Sequence, residues 1–343
     1  MHRGLIFPGG GMTLEEMLTV AREAEAASFD SLYCVEAWRS AFVPLAALAC
    51  ETQRVRLGSY VINAYGRSPF ITGMSAVDLD ELSGGRLLLA VGSGNRHINE
   101  DYQGIPHERP LRKMREYVEL LRMISRTPAG GEVAYDGEVH RMHWHPAVQP
   151  VRPSIPVYVA GIYPKMVKVA ASVGDGLALG ALLSADYIRE VLRPLARDAA
   201  EAAGRDPNEL GYLMSGFVAA DEDRERARNA VRLAICSLFH PLPHPYYEFL
   251  LREQGFSEAA DAALRHVPEG RTEAAMEAMD DKLVDALAMT GSPKDCAEGA
   301  AAYDGLVDEV IFTNVGAVTS TLSGDGASVV DSYRAVLRIP ATP

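Results

Sequence analysis

The 343-residue sequence is poor in the residues that would tie it to metal, disulfide, nucleic-acid or lipid chemistry. Its four cysteines, Cys34, Cys50, Cys236 and Cys296, are scattered with no CxxC pair, so neither a disulfide framework nor a cysteine zinc site is suggested. They read as isolated thiols in a reducing compartment. Positive charge is in deficit: 33 Lys and Arg against 46 Asp and Glu leave a formal net charge of -13. That balance argues against general binding to nucleic acid or an anionic membrane surface, which needs basic patches. An anionic cofactor would have to be held by local donors. No apolar run approaches a membrane span, and the run in MHRGLIFPGGGMT is too short for a signal peptide, so a cytoplasmic protein is expected.

What is present is ordinary for a globular enzyme, 48% hydrophobic and 23% charged, and long enough for one large α/β barrel or two ordinary domains. Strand and helix signals alternate from the start. Gly4 to Phe7 is a short apolar strand, Thr13 and Glu16 form a capping box for a helix to about Ala27, and Ser31 to Val35 is the next strand. Helix then covers Pro44 to Thr52, and Val55 to Val61 reads as a third strand. From Ser68 to Asn95 the order is helix, turn, strand. Ser68 caps, Pro69 fits the first helical position, and Phe70, Ile71, Met74, Val77 and Leu82 share an arc that predicts the inward face. Gly84-Gly85 stops this helix. Leu87 to Val91 is an unbroken apolar run, the mark of a parallel strand buried on both faces, and it ends in Ser93-Gly94-Asn95.

Further along, Leu111 to Ile124 is a helix with Glu116 and Glu119 outward, and 127–153 is a hairpin excursion. His143 and His145 would share one face of a hairpin strand, with His140 nearby, but no carboxylate or cysteine completes a metal set. Strands follow at Pro156 to Ala160, Gly176 to Gly180, Leu210 to Ala219 and Glu309 to Thr313, with helices between and after them. Residues 240–283 form a helical excursion after the seventh strand.

The LDELSGGR motif, the apolar strand and GxG that follow it, and the upstream run from Leu57 to Pro69 resemble the bacterial luciferase-like (β/α)8 flavin and deazaflavin enzymes. The run LGSYVINAYGRSP is most similar to the branch that uses coenzyme F420, including methylenetetrahydromethanopterin reductase. IPVYVAGIYPKMVKVAASVGDG and MTGSPKDCAEGAAAYDGLVDEVIF extend the likeness over nearly the whole chain. It implies an α/β fold, a single luciferase-like TIM barrel over 1–343 with its insertion after strand seven, and a homodimer. It also implies an F420-dependent oxidoreductase that moves a hydride between deazaflavin C5 and a C=C or C=N bond of a small molecule. An FMN-dependent monooxygenase of the same fold, or a silent flavin-binding or partner-subunit protein, are the alternatives.

The resemblance also assigns sites. Glu36, at the end of the second strand, would lie near the cofactor ring. Many deazaflavin members follow it with histidine, but Ala37 stands here, which excludes proton transfer by a histidine at that position. Ser59, Tyr60 and Val61 would back the ring, with a bulge and a cis peptide at Tyr60-Val61. Ser93, Gly94 and Asn95 would line the rim, and Asn95 replaces a glutamate acid of the sugar-phosphate dehydrogenases. Ala160, Gly161, Ile162 and Tyr163, at a helix start suited to phosphate, would hold the cofactor phosphate, so a side chain at Gly161 would stand where the phosphate belongs. Tyr65, His97 and an ordered water are the open proton sources. Phe239, His240, Tyr246 and Tyr247 would wall the substrate mouth, or else belong to a helical packing element.

Overall fold

The structure, a computed structural model, describes residues 1–239, 245–320 and 328–341. Twelve strands occur among them: β1 (His2–Phe7), β2 (Ser31–Cys34), β3 (Arg56–Ser59), β4 (Ile62–Asn63), β5 (Leu87–Gly92), β6 (Val133–Asp136), β7 (Arg141–Trp144), β8 (Val157–Ala160), β9 (Gly176–Leu179), β10 (Gly211–Ala220), β11 (Ala288–Gly291) and β12 (Glu309–Asn314). The helices that matter here are α1 (Leu14–Ala26), α2 (Phe42–Glu51), α3 (Pro69–Leu82), α4 (Pro110–Arg126) and α5 (Pro164–Val173). The fold is a (β/α)8 barrel whose eight parallel strands are β1, β2, β3, β5, β8, β9, β10 and β12. The expected strands all form, and the capping box of Thr13 and Glu16 is made on both sides. The short strand β11, added beside β10 just past the excursion after strand seven, was not anticipated.

The chain divides into two compact units, one of Met1–Phe29, Leu179–Arg193 and Leu213–Pro343, the other of Asp30–Ala178 and Pro194–Tyr212. In the first, β12 pairs with both β1 and β10, and all of its residues are buried. In the second, β2, β3, β5, β8 and β9 pair in that order, with every residue of β5 buried as its apolar run requires.

The motif that carries the family resemblance is a fastening at the end of the second unit where β5 begins. Gly84 and Gly85 both take left-handed backbone, φ 69° and 81°, and turn the chain from α3 into β5. Arg86 then caps the last turn of α2, donating to the carbonyls of Ala49 and Thr52 at 3.0 and 2.9 Å, and also to Val55 O and Ser83 O. Asp80 is buried. It accepts the Leu87 N–H and two bonds from Arg152 at 2.7 and 2.9 Å.

Two helix faces differ from expectation. In α3 the buried residues are Pro69, Thr72, Gly73, Ala76, Val77, Leu79 and Asp80, while Ile71 and Leu82 are exposed. The face is set by fit rather than hydrophobicity: a Cβ on Gly73 would lie 2.5 Å from the Ile124 side chain of α4, so only small residues allow that approach. In α4, Glu116 is buried rather than outward. Its carboxylate accepts the N–H groups of Glu138, Val139 and His140 at 2.8–2.9 Å, giving the turn between β6 and β7 the acceptor its backbone lacks. The hairpin is held to α3 and α4 by Val133 and Met142 packing on Val77, Leu120 and Ile124.

Burial alone would push the Glu116 carboxyl up, but the three N–H donors outweigh it and hold it below the ordinary carboxylate value. Its contribution is therefore present above the ordinary value and lost as the pH falls through the lowered one. Glu116→Gln should destabilise the protein by about 2 kcal/mol, the scale of leaving buried backbone donors poorly paired. Urea unfolding would give the loss, and amide exchange should quicken at 138–140; unchanged exchange there would contradict it.

Candidate functional site

The C-terminal strand ends of the second unit bring together side chains from β2, the β3–β4 segment, β5 and β8, at the end of the barrel where enzymes of this architecture work. The local structure begins with a fault in the sheet. Gly58 pairs with Leu88, and the next pair is Ile62 with Val91. Three residues, Ser59, Tyr60 and Val61, thus oppose two, Leu89 and Ala90, which makes a β-bulge. The third strand expected from Val55 to Val61 is accordingly two segments, and the peptide between Tyr60 and Val61 is cis.

The bulge leaves Ala90 without a ladder partner on its β3 side, and the Ser59 hydroxyl replaces one. It accepts the Ala90 N–H at 3.1 Å and donates to the Ala90 carbonyl at 2.9 Å, with no surface exposed. The Tyr60 N–H bonds the carbonyl of Cys34 on β2, and its ring meets Tyr33 edge-on. Gly92 is cut to fit: a Cβ there would come 2.9 Å from the Val61 side chain.

Glu36 follows β2. Its Oε1 accepts from Arg67 Nε at 2.6 Å, while Arg67 also donates to Ser40 and lies over the Phe42 ring. Glu36 Oε2 is buried and has no hydrogen bond among the described residues. It is an acceptor awaiting a donor.

The loop after β5 is organised by amides. Asn63, at the end of β4, accepts the Tyr65 N–H and donates to Asn99 Oδ1 at 2.8 Å. Asn99, wholly buried, donates to the Ser93 carbonyl at 2.8 Å and to His107 Nδ1 at 2.7 Å. Gly94 has φ 62°, and a Cβ there would meet the Asn63 amide at 2.8 Å, so glycine is needed twice over. Asn95 caps the π-helical turn Ile98–Tyr102 by accepting the Ile98 N–H. His97 binds Asp101 through Nδ1 and stands beside Tyr102. Tyr65 is buried, gives its O–H to the Glu108 carbonyl at 2.5 Å, stacks on His107 at 4.8 Å and carries Lys113 over its ring.

β8 ends at Ala160, Gly161 leads to Ile162 and Tyr163, and α5 starts with Pro164 in its first turn and no side-chain cap. A Cβ on Gly161 would lie 3.1 Å from the backbone of Met166 and Val167 in the first turn of α5, so close approach of the chain to the helix itself requires glycine there.

Phe239 is fully buried, Tyr246 and Tyr247 are half-buried, and His240 lies outside the described residues. His143 pairs with Asp136 and His145 with the Gly131 carbonyl, and the described residues contain no cluster of three metal-type ligands. Arg67, His107 and Lys113 escaped the sequence reading as site residues, as did Asn63, whose only signal was polarity at a strand end.

Eight parallel strands and a polar rim over a bulged third strand define a (β/α)8 barrel with its candidate site at the C-terminal strand ends. The family follows from comparison with known proteins: residues 2–309 match the family described as Luciferase-like monooxygenase, and the chain belongs to it. It is 30% identical over 295 residues to a 5,10-methylenetetrahydromethanopterin reductase of Archaeoglobus fulgidus, covering 84% of this chain and 85% of that one. It is 28% identical over 289 residues to a putative coenzyme F420-dependent oxidoreductase of Mycobacterium tuberculosis, covering 78% and 81%. Among solved structures, the coenzyme F420-dependent tetrahydromethanopterin reductase of Methanopyrus kandleri superposes with TM-score 0.79 at 21% identity, over 98% and 97% of the two chains. A monooxygenase of Streptomyces bottropensis gives 0.69 at 22% identity over 98% of each.

Ser59→Ala strands the Ala90 N–H and C=O inside the sheet. A loss of about 1–3 kcal/mol in urea unfolding is expected, together with faster amide exchange at Ala90. A change within error would show that the hydroxyl is not the bulge's staple.

Proposed function

We propose that the protein is an F420-dependent oxidoreductase that moves a hydride between the deazaflavin C5 and a C=C or C=N bond of a small organic substrate. The observation that carries this reading is the bulge at Ser59–Val61 where β3 ends, the displacement that the deazaflavin resemblance implies there. The 30% identity to a named reductase over most of both chains supports the same branch. Bound F420 supplies the hydride chemistry itself.

The residues fit such a group. Glu36 Oε2 is a buried acceptor with no hydrogen bond among the described residues, suited to an N–H of a heteroaromatic ring, and Arg67 keeps that carboxylate oriented. The bulge would back the ring with Tyr60 and Val61, beside the Ser93–Gly94–Asn95 turn. The start of α5 after Ala160–Tyr163, which has no side-chain cap, would take the phosphate through backbone N–H groups and the helix dipole.

Tyr65 and His97 are both engaged, the first with a backbone carbonyl and the second with Asp101. Water is therefore the proton source that breaks the fewest contacts. The protein's share of the work is to orient the two reactants and hold the charge of Glu36 beside them.

The test is oxidation of reduced F420 under anaerobic conditions with imines and activated alkenes as acceptors. Glu36→Gln should lower turnover about 10- to 100-fold, the scale of one misplaced electrostatic group, with little change in the unfolding midpoint. Equal turnover would return Glu36 to a purely structural pairing with Arg67. No oxidation with any acceptor would favour a silent barrel, and oxygen-dependent turnover with FMN would favour a monooxygenase.

A further inference from the structure

The amide chain at the rim has a direction, and both of its ends are fixed by backbone groups. The Tyr65 N–H can only donate, so the Asn63 atom it meets is the carbonyl oxygen, and the Asn63 NH2 must face Asn99. The Ser93 carbonyl can only accept, so the Asn99 NH2 lies toward it, and its second N–H points at His107 Nδ1. Nδ1 must then be an unprotonated acceptor, with the ring proton on Nε2. A proton on Nδ1 would set two N–H groups against each other at 2.7 Å.

We propose that His107 is a positioning residue of the cofactor rim: as the neutral Nε2–H imidazole it anchors Asn99, and through Asn99 the ends of β4 and β5, and it releases them when protonated. The inference rests on the reading of this rim as the cofactor site. Asn99 ties together the Ser93 carbonyl, next to Gly94, and Asn63, which follows the bulge, so loss of its anchor loosens the backbone proposed to back the ring.

The surroundings favour the neutral ring. His107 stacks on Tyr65, over which Lys113 already sits, and Arg96 is a further positive charge nearby. Glu100 opposes them, and its Oε1 is taken by the His107 backbone N–H at 3.1 Å. Burial first, then Arg96, push the imidazole below its ordinary value of 6.5, with Glu100 a smaller opposing influence. The folded value is depressed, so the anchor is complete above the ordinary value and lost as the pH falls through the lowered one.

Nitrogen-15 NMR of the free protein labelled at histidine tests the anchor directly. The expected result is a His107 ring protonated only at Nε2 at neutral pH, titrating below 6.5. In Asn99→Asp the carboxylate cannot donate to Nδ1, so the proton should move to Nδ1 and the titration should rise above the ordinary value. A wild-type ring carrying its proton on Nδ1, or a titration that Asn99→Asp leaves in place, overturns the proposal.

Affinity for F420 supplies the second arm. His107→Asn keeps an acceptor where Nδ1 lies but cannot titrate, and His107→Phe keeps the stack on Tyr65 without the acceptor. Expected are near wild-type affinity at neutral pH for the first and about a tenfold loss for the second. The ratio of wild-type to His107→Asn affinity should fall about tenfold across the lowered titration, and any titration of the cofactor cancels in that ratio. Wild-type affinity in His107→Phe, or a flat ratio, overturns the positioning role. Failure of the wild type to bind F420 at neutral pH would instead defeat the functional reading, while the labelled histidine still decides the anchor.

Discussion

A parallel sheet cannot drop a rung inside the protein without giving the stranded N–H and C=O new partners, and the rim depends on how this one is compensated. The Ser59 hydroxyl binds both groups of Ala90, so β3 is free to bulge where the strand ends. Everything nearby is arranged around that displacement. Tyr60 ties the bulge to β2 through the Cys34 carbonyl, and Gly92 clears space for Val61. Asn63, just past the bulge, begins the amide chain that fixes the loop after β5. A single hydroxyl thus permits a backbone that ordinary strand pairing would forbid.

The two ends of the strands do different jobs, and the sequence motifs divide between them. Asp80, Ser83, Gly84, Gly85 and Arg86 fasten α2, α3, β5 and Arg152 at the end where β5 begins. This cluster belongs to the fold, not to the chemistry. It explains why the motif identified the architecture well and said nothing of a substrate. The residues proposed to carry the chemistry stand at the other end, on short polar connections such as Glu36 to Arg39 and Ser93 to His107.

Strand existence was legible because buried parallel strands are written as unbroken apolar runs, as in Leu87 to Val91, and cap chemistry located α1 and α3 closely. The α3 face was misread because hydrophobicity was taken as the measure of burial. Close helix contact instead selects Thr72, Gly73 and Ala76, leaving Ile71 and Leu82 outside. Glu116 was placed outward because a buried carboxylate has no local signature; its three donors come from residues more than twenty positions away. The partners of Asn99 and His107 were illegible for the same reason, since Asn63 and Tyr65 lie far back in the chain. Glycine was readable as a requirement but not as a cause: Gly161 faces helix backbone, whereas Gly94 faces the amide chain.

The central claim is that this rim is built for a deazaflavin. Fluorescence titration of the purified wild-type protein with F420 and, separately, with FMN tests it most directly. The account predicts saturable binding of F420 with FMN binding far weaker. Preference for FMN, or binding of neither, would contradict it.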